Sequence, residues 1–151
     1  LITLADATVD DAAAIAALCA ELDEFYGDAP QGTAAERSCS PPMACVLLAR
    51  DGQTLAGFAS YSFLWPAAGL TASLYLKELY VAGAYRRSGT GRLLMDGLGG
   101  IAADRGCSRV EWTTDTGNAG AQAFYEALGA KPLASKIFYR AAGEDLASPL
   151  S

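Results

Sequence analysis

Two groups of side chains in this chain of 151 residues have types and spacings that do chemistry. The first is the run Arg86-Arg87-Ser88-Gly89-Thr90-Gly91-Arg92. Its glycines let backbone approach a ligand closely, and the apolar spacing that follows is that of a helix, whose first free N–H groups face an anion. Arg86, Arg87 and Arg92 add guanidinium charge, so the run suits a polyphosphate. It contains no Gly-Lys-Ser/Thr and lacks the third glycine of a dinucleotide fingerprint, which disfavours ATP and NAD. The second group can hold or move protons. It comprises Lys77 and Glu78 just ahead of the run, Tyr125 beyond it, and an acidic patch of Glu21, Asp23, Glu24 and Asp28 around Phe25 and Tyr26. A phenol with a reference pKa of about 10 is protonated at neutral pH and can give its proton to a thiolate of comparable basicity. The acidic patch reads either as a solvated helix face or as a collector of an ammonium group, by charge and by aromatic faces.

These residues need elements to position them. Residues 73 to 81, SLYLKELYV, suit a strand, and the glycine run leads from it into a helix ending near Gly106. In that helix Leu94, Leu98 and Ile101 share one face. Gly97, Gly99 and Gly100 each lower helix propensity by about 1 kcal/mol against Ala, which points to close packing on a sheet. Upstream, residues 1 to 5 suit a strand. Thr8 and Asp11 resemble a capping box, and Ile15, Leu18, Cys19 and Leu22 form an apolar helical stripe that Gly27 ends. Residues 29 to 43, with three prolines, read as a loop that can cover the substrate mouth. Residues 44 to 49 and 54 to 65 read as a hairpin about Asp51-Gly52, closed by Trp65-Pro66. Residues 109 to 113 suit a strand, Asn118 caps a helix running through Ala127 with Gly129 as terminator, residues 137 to 140 suit a last strand, and 141 to 151 read as a tail.

Arg86-Arg87-Ser88-Gly89-Thr90-Gly91 resembles the signature Arg/Gln-x-x-Gly-x-Gly/Ala, the acyl-CoA loop of the GNAT superfamily of N-acetyltransferases. The resemblance extends over nearly the whole chain. Leu74-Tyr75-Leu76-x-x-x-Tyr80-Val81, Gly106-Cys107-Ser108 and Ala127-Leu128-Gly129-Ala130 are similar to the spermidine/spermine and thialysine acetyltransferase branch. It implies an α/β (α+β) fold, a mixed central sheet of about six or seven strands with about four helices and a splayed central strand pair, as one domain over residues 1 to 140. It implies acetyl-CoA as acyl donor, held by Arg86, Arg87, Ser88, Gly89, Thr90, Gly91 and Arg92, by the backbone of Leu79, Tyr80 and Val81, and by Asn118. The Val81 N–H would face the thioester oxygen, and Tyr125 would be the general acid.

The base is where the pattern departs. The polyamine branch has two successive acids where this chain has Lys77 and Glu78. Strand alternation puts these on opposite faces unless a bulge intervenes. Glu78 reads as base or ammonium ligand, or as a surface or salt-bridge residue; a water chain or an amine arriving neutral are alternatives. Lys77 repels a polycation and suits a substrate carboxylate. Glu24, Tyr26, Asp28, Lys77 and Glu78 are thus the candidate acceptor residues, for a small primary amine that is diamine, amino-acid-like or drug-like. The competing readings are a non-catalytic acyl-CoA-binding module and a protein N-terminal or lysine acetyltransferase.

Composition bounds these readings. With 52% hydrophobic residues the chain can bury a core unaided, and a net charge of −6 argues against a nucleic-acid partner. The absence of histidine, and four cysteines without a Cys-x-x-Cys pair, exclude a zinc site or a Cys-His nucleophile and suggest buried reduced thiols. No apolar run is long enough to span a membrane and no signal segment opens the sequence, so a cytoplasmic protein is expected. Dimerisation, by analogy with the resembling proteins, is expected through the C-terminal strands.

Overall fold

The computed structural model describes residues 1–27 and 44–146. The chain forms two compact units, residues 1–113 and 114–151.

The first unit is a five-stranded sheet in the order β1-β2-β3-β4-β5. Its strands are β1 (Ile2–Asp6), β2 (Cys45–Asp51), β3 (Thr54–Ala67), β4 (Thr71–Val81) and β5 (Cys107–Glu111). The first four pair antiparallel and β5 joins β4 parallel. Helix α1 (Ala12–Tyr26) packs Leu18, with Ile15, Cys19 and Leu22, against Leu48, Phe58 and Tyr80 on one face. Helix α2 (Thr90–Asp104) packs Leu94, Leu98 and Ala102 against Leu47, Ala59, Leu74 and Leu76 on the other. Each apolar stripe therefore meets its own side of the sheet, as the helical spacings anticipate.

Local signals mostly form where expected. The Thr8 N–H donates to Asp11 Oδ2 at 2.9 Å, and Arg50 pairs with the same carboxylate, tying the start of α1 to β2. The bond from Thr8, with Arg50 beside it, holds the Asp11 carboxyl below its ordinary value. Gly27 closes α1 at φ 75°. The Asp51-Gly52 turn makes the β2–β3 hairpin, with Asp51 opposite Thr54.

The described residues hold five strands and three α-helices, the mixed-sheet fold that the resemblance implies with approximate counts. Other expectations are corrected. Strand β3 does not stop at Trp65 but passes through Pro66 to Ala67, where its register with β4 shifts, so the missing proline N–H falls at an irregularity. Strand β5 starts two residues earlier than 109, because Gly106 at φ 69° already reverses the chain and frees Cys107 to pair with Ala72. Cys45 is exposed, and Cys19 and Cys107 are half-buried. Only Gly97 explains close packing: a Cβ there would lie 2.6 Å from Leu4 Cδ1 and 2.9 Å from Leu47 Cδ2, whereas Gly99 and Gly100 face open space. Residues 29 to 43 lie outside the described part.

In the second unit, α3 (Ala119–Ala127) is the one α-helix among the described residues. Residues 137 to 140 are not a strand; Ile137, Phe138 and Tyr139 are exposed. Their β propensity is real, yet a strand needs a paired neighbour, and none is found for them among the described residues.

Candidate active site

The half of β4 nearest the glycine run is where ligand chemistry can occur. Strand β5 pairs with β4 only from Ala72↔Cys107 to Tyr75↔Glu111, while β4 runs on to Val81. The β3 side remains paired: Gly57 stands opposite Val81, and the Ala82 N–H donates to Ala56 C=O at 2.9 Å. Hydrogen-bonded and non-bonded positions alternate in an antiparallel ladder, so Leu79 and Val81 turn their N–H and C=O away from β3, toward the unpaired edge. Arg86 Nε donates to that outward Val81 carbonyl at 3.1 Å.

A bulge decides where Glu78 goes. Ser60 pairs with Glu78 and Tyr61 with Leu76, leaving Lys77 as the extra residue. Leu74 and Leu76 before the bulge, and Leu79 after it, all pack on the α2 side, whereas Tyr80 packs on the α1 side. The alternation therefore changes phase at Lys77. Glu78 lands on the α1 face, half-buried, with Asp23 and Cys19 of α1 within electrostatic reach. Burial pushes its carboxyl above the ordinary 4.5 and Asp23 adds to this, against the Leu79 N–H and Lys77. A carboxyl so shifted is a better proton acceptor than a free one. Lys77 itself is exposed.

The backbone of the glycine run has the conformation that an anion cradle needs. Arg87 (φ 58°) and Gly89 (φ 87°) are left-handed, with α2 beginning at Thr90, and such alternation turns successive N–H groups inward. Thr90 is buried, with its hydroxyl 2.9 Å from that of Ser88, which in turn donates to Tyr85 C=O. No side chain caps the first turn of α2. Together the cradle and the open β4 edge fit a diphosphate followed by an extended, amide-bearing arm, which is the shape of coenzyme A. Of the guanidiniums, Arg92 lies 4.0 Å from Asp96, both exposed, and Arg87 is exposed.

Arg86 is engaged elsewhere. Its Nη2 donates to Tyr80 Oη at 3.3 Å, and its guanidinium carbon lies 5.5 Å from the Phe25 ring centre and 5.6 Å from that of Tyr80. The Tyr80 hydroxyl donates to Glu21 Oε2 at 3.1 Å. Burial and that carboxylate push the Tyr80 phenol up. Glu24 and Tyr26 lie exposed at the end of α1, with the Tyr26 ring edge-on to Phe25 at 5.2 Å. Asp28 lies outside the described residues.

In the second unit, Asn118 Oδ1 accepts from the Ala121 N–H at 3.0 Å and starts α3. Gly129, at φ 90°, ends it, with the Ala130 N–H donating to Tyr125 C=O at 3.1 Å. Tyr125 is half-buried, its ring 5.1 Å from that of Phe124. A shallow groove of about 330 Å³ between β1 and α2, lined by Leu4, Leu47, Gly97 and Ile101, contains none of the candidate residues. Among the described residues no group of His, Cys, Asp and Glu can hold a metal ion, and no helix is long and apolar enough to cross a membrane.

The model of the acetyltransferase (GNAT) family matches residues 12–130, from α1 through the end of α3. The chain belongs to the GNAT family. It is 30% identical over 92 residues to an L-ornithine N5-acetyltransferase of Arabidopsis thaliana, covering 61% of this chain and 40% of that protein. It is likewise 30% identical over 83 residues to a thialysine N-epsilon-acetyltransferase of Bos taurus, covering 55% and 48%. The matches thus span about half or less of the length of these curated relatives. Among solved structures, an integron cassette protein of V. cholerae superimposes with a TM-score of 0.87 at 25% identity, covering 97% of this chain and 95% of that one.

GNAT family acetyltransferases use acetyl-CoA as acyl donor, and the open β4 edge and the cradle are the parts of this member that suit it. Sequence reasoning missed the Glu21, Phe25, Tyr80 and Arg86 cluster. One signal was present: Glu21 and Phe25 are four apart on α1 and so share a face. Tyr80 and Arg86 meet only because the chain folds back after β4.

Proposed function

We propose that this GNAT protein is an acetyl-CoA-dependent N-acetyltransferase acting on the side-chain amine of a small amino-acid-like substrate. Acetyl-CoA would supply an activated acyl group. The N–H groups of residues 87 to 91 hold its diphosphate, with Arg87 and Arg92 adding charge from outside, and the outward N–H and C=O of Leu79 pair with its amide-bearing arm. The Val81 N–H donates to the acyl oxygen as negative charge develops there, the kind of preorganised donor that contributes most to such reactions. Glu78 takes the proton of the incoming ammonium, and Tyr125 gives a proton to the departing sulfur. Asn118 contributes its remaining donor capacity to the cofactor while capping α3.

The observation that carries this reading is the bulge at Lys77, which puts a carboxyl of raised pKa on the face where α1 brings its acidic residues. Lys77 beside Glu78 supports an acceptor bearing a carboxylate as well as an amine, as do relatives named for ornithine and thialysine. Glu24, Tyr26 and Asp28 guide the cation toward that face. The acetyltransferase domain extends over residues 1 to 140 and acts as a cytoplasmic homodimer. The test is release of free thiol from acetyl-CoA with ornithine, lysine, thialysine, spermidine and aminoglycosides. The expected result is turnover with the amino acids, reduced about tenfold or more in Tyr125→Phe with acetyl-CoA affinity retained. Wild-type turnover in that variant overturns the role of Tyr125, and no thiol release with any amine overturns the enzyme.

A further inference from the structure

The Arg86 guanidinium sits where an organic cation would be expected to bind. It lies over two aromatic rings, Phe25 at 5.5 Å and Tyr80 at 5.6 Å, and Tyr80 is hydrogen-bonded to the Glu21 carboxylate. Ring faces and a carboxylate are the chemistry that recognises ammonium groups. Arg86 is also the first residue of the anion cradle. In this position its Nε and Nη2 are already used, on the Val81 carbonyl and the Tyr80 hydroxyl, and must leave those partners to bond a diphosphate held by the amides of residues 87 to 91.

We propose that Phe25, Tyr80 and Glu21 form a cation receptor whose built-in occupant is Arg86, and that a diphosphate in the cradle draws the guanidinium out and opens the receptor to the acceptor ammonium. This rests on the reading of residues 86 to 92 as a diphosphate cradle. Charge bookkeeping is consistent with the exchange. While Arg86 is in place its positive charge offsets Glu21 and repels a second cation; once it swings to the phosphates, the same rings and carboxylate face a site lacking one positive charge. Arg86 and Phe25 are both exposed, and the exchange releases, besides the ring contacts, the Arg86 hydrogen bonds to the Val81 carbonyl and the Tyr80 hydroxyl, which bonds to phosphate oxygens replace. Each such cation–π contact contributes a factor of roughly twofold to fivefold. Cradle and receptor are then thermodynamically linked: whatever frees Arg86 helps both ligands, and the two ligands help each other by the same factor.

Calorimetric titration of the full chain with coenzyme A and with butylammonium chloride tests this without turnover. The proposal expects butylammonium to bind the wild type roughly fivefold tighter in saturating coenzyme A. Arg86→Ala binds butylammonium at the tighter level whether or not coenzyme A is present. Phe25→Ala, a change at an exposed ring, binds coenzyme A roughly twofold to fivefold tighter, because Arg86 is released more cheaply; a merely structural role for Phe25 would leave that affinity unchanged or weaken it. Equal butylammonium affinity with and without coenzyme A, or unchanged coenzyme A affinity in Phe25→Ala, overturns the linkage while leaving the cradle intact. Failure of the wild type to bind coenzyme A overturns both.

Discussion

Placing alanine in turn at Gly97, Gly99 and Gly100 of α2 separates packing from propensity. At Gly97 a Cβ would stand 2.6 Å from Leu4 Cδ1 and 2.9 Å from Leu47 Cδ2, against a comfortable carbon–carbon separation of about 3.5 to 4.0 Å. Roughly 1 Å of room has to be made. Leu4 is half-buried and can turn, but Leu47 is 5% exposed and held in the core. Overpacking of this kind costs about 1 to 3 kcal/mol, and the helix gains about 1 kcal/mol from losing a glycine. The net expectation for Gly97→Ala is a loss of about 1 kcal/mol. Gly99→Ala and Gly100→Ala meet nothing within 4 Å and should each gain up to about 1 kcal/mol. Urea unfolding midpoints read the sign directly, since neither change should alter the denaturant slope. Coenzyme A binding gives a second readout, because moving α2 outward from the sheet also moves its first turn: Gly97→Ala should weaken it and Gly99→Ala should not. A Gly97→Ala variant as stable as Gly99→Ala would refute the close approach of α2 to β1 and β2.

Glu78→Gln should reduce turnover about a hundredfold, within the usual range for a general base, and should remove the acid limb of the pH–rate profile. The same change should raise stability in an alkaline buffer. Because the folded carboxyl is raised above its unfolded value, its contribution is full below the unfolded pKa and is lost as pH rises through the folded one. Thermal melts at pH 8 should therefore favour the Gln variant, and melts at pH 4 should show little difference; the reverse order would show that Glu78 is stabilised as an anion. Asn118→Ala removes the side-chain acceptor of the Ala121 N–H in the first turn of α3 and should cost about 1 kcal/mol. Its readout is hydrogen exchange at Ala121, which should speed up by a matching factor.

Much of the fold is legible in the sequence because its signals are local. Asp51-Gly52 specifies a hairpin, Asn118 and Gly129 delimit α3, and the stripe from Ile15 to Leu22 can face only one layer. Illegible parts depend on partners distant in sequence. Residues 137 to 140 have strand composition but no strand beside them among the described residues. Gly97 matters while its neighbours Gly99 and Gly100 do not, because only the first faces Leu4 and Leu47. For the site, the loop and its glycines are readable from type and spacing. The face taken by Glu78 is not, since a bulge is a property of two strands and leaves no mark on either alone. Arg86 escaped for a like reason: its partners come from α1 and β4, and composition suggests only that a guanidinium in such a run belongs to an anion.

The extra residue in β4 lets one strand do two jobs. Ahead of Lys77 the strand is a beam, locked between two neighbours, and tolerates little change. Beyond it the beam is released, and both the face shown to α1 and the edge left bare are available to guests. Residues at and just after that step can then vary with the guest while the frame stays as it is, so differences in acceptor preference between such proteins should concentrate there.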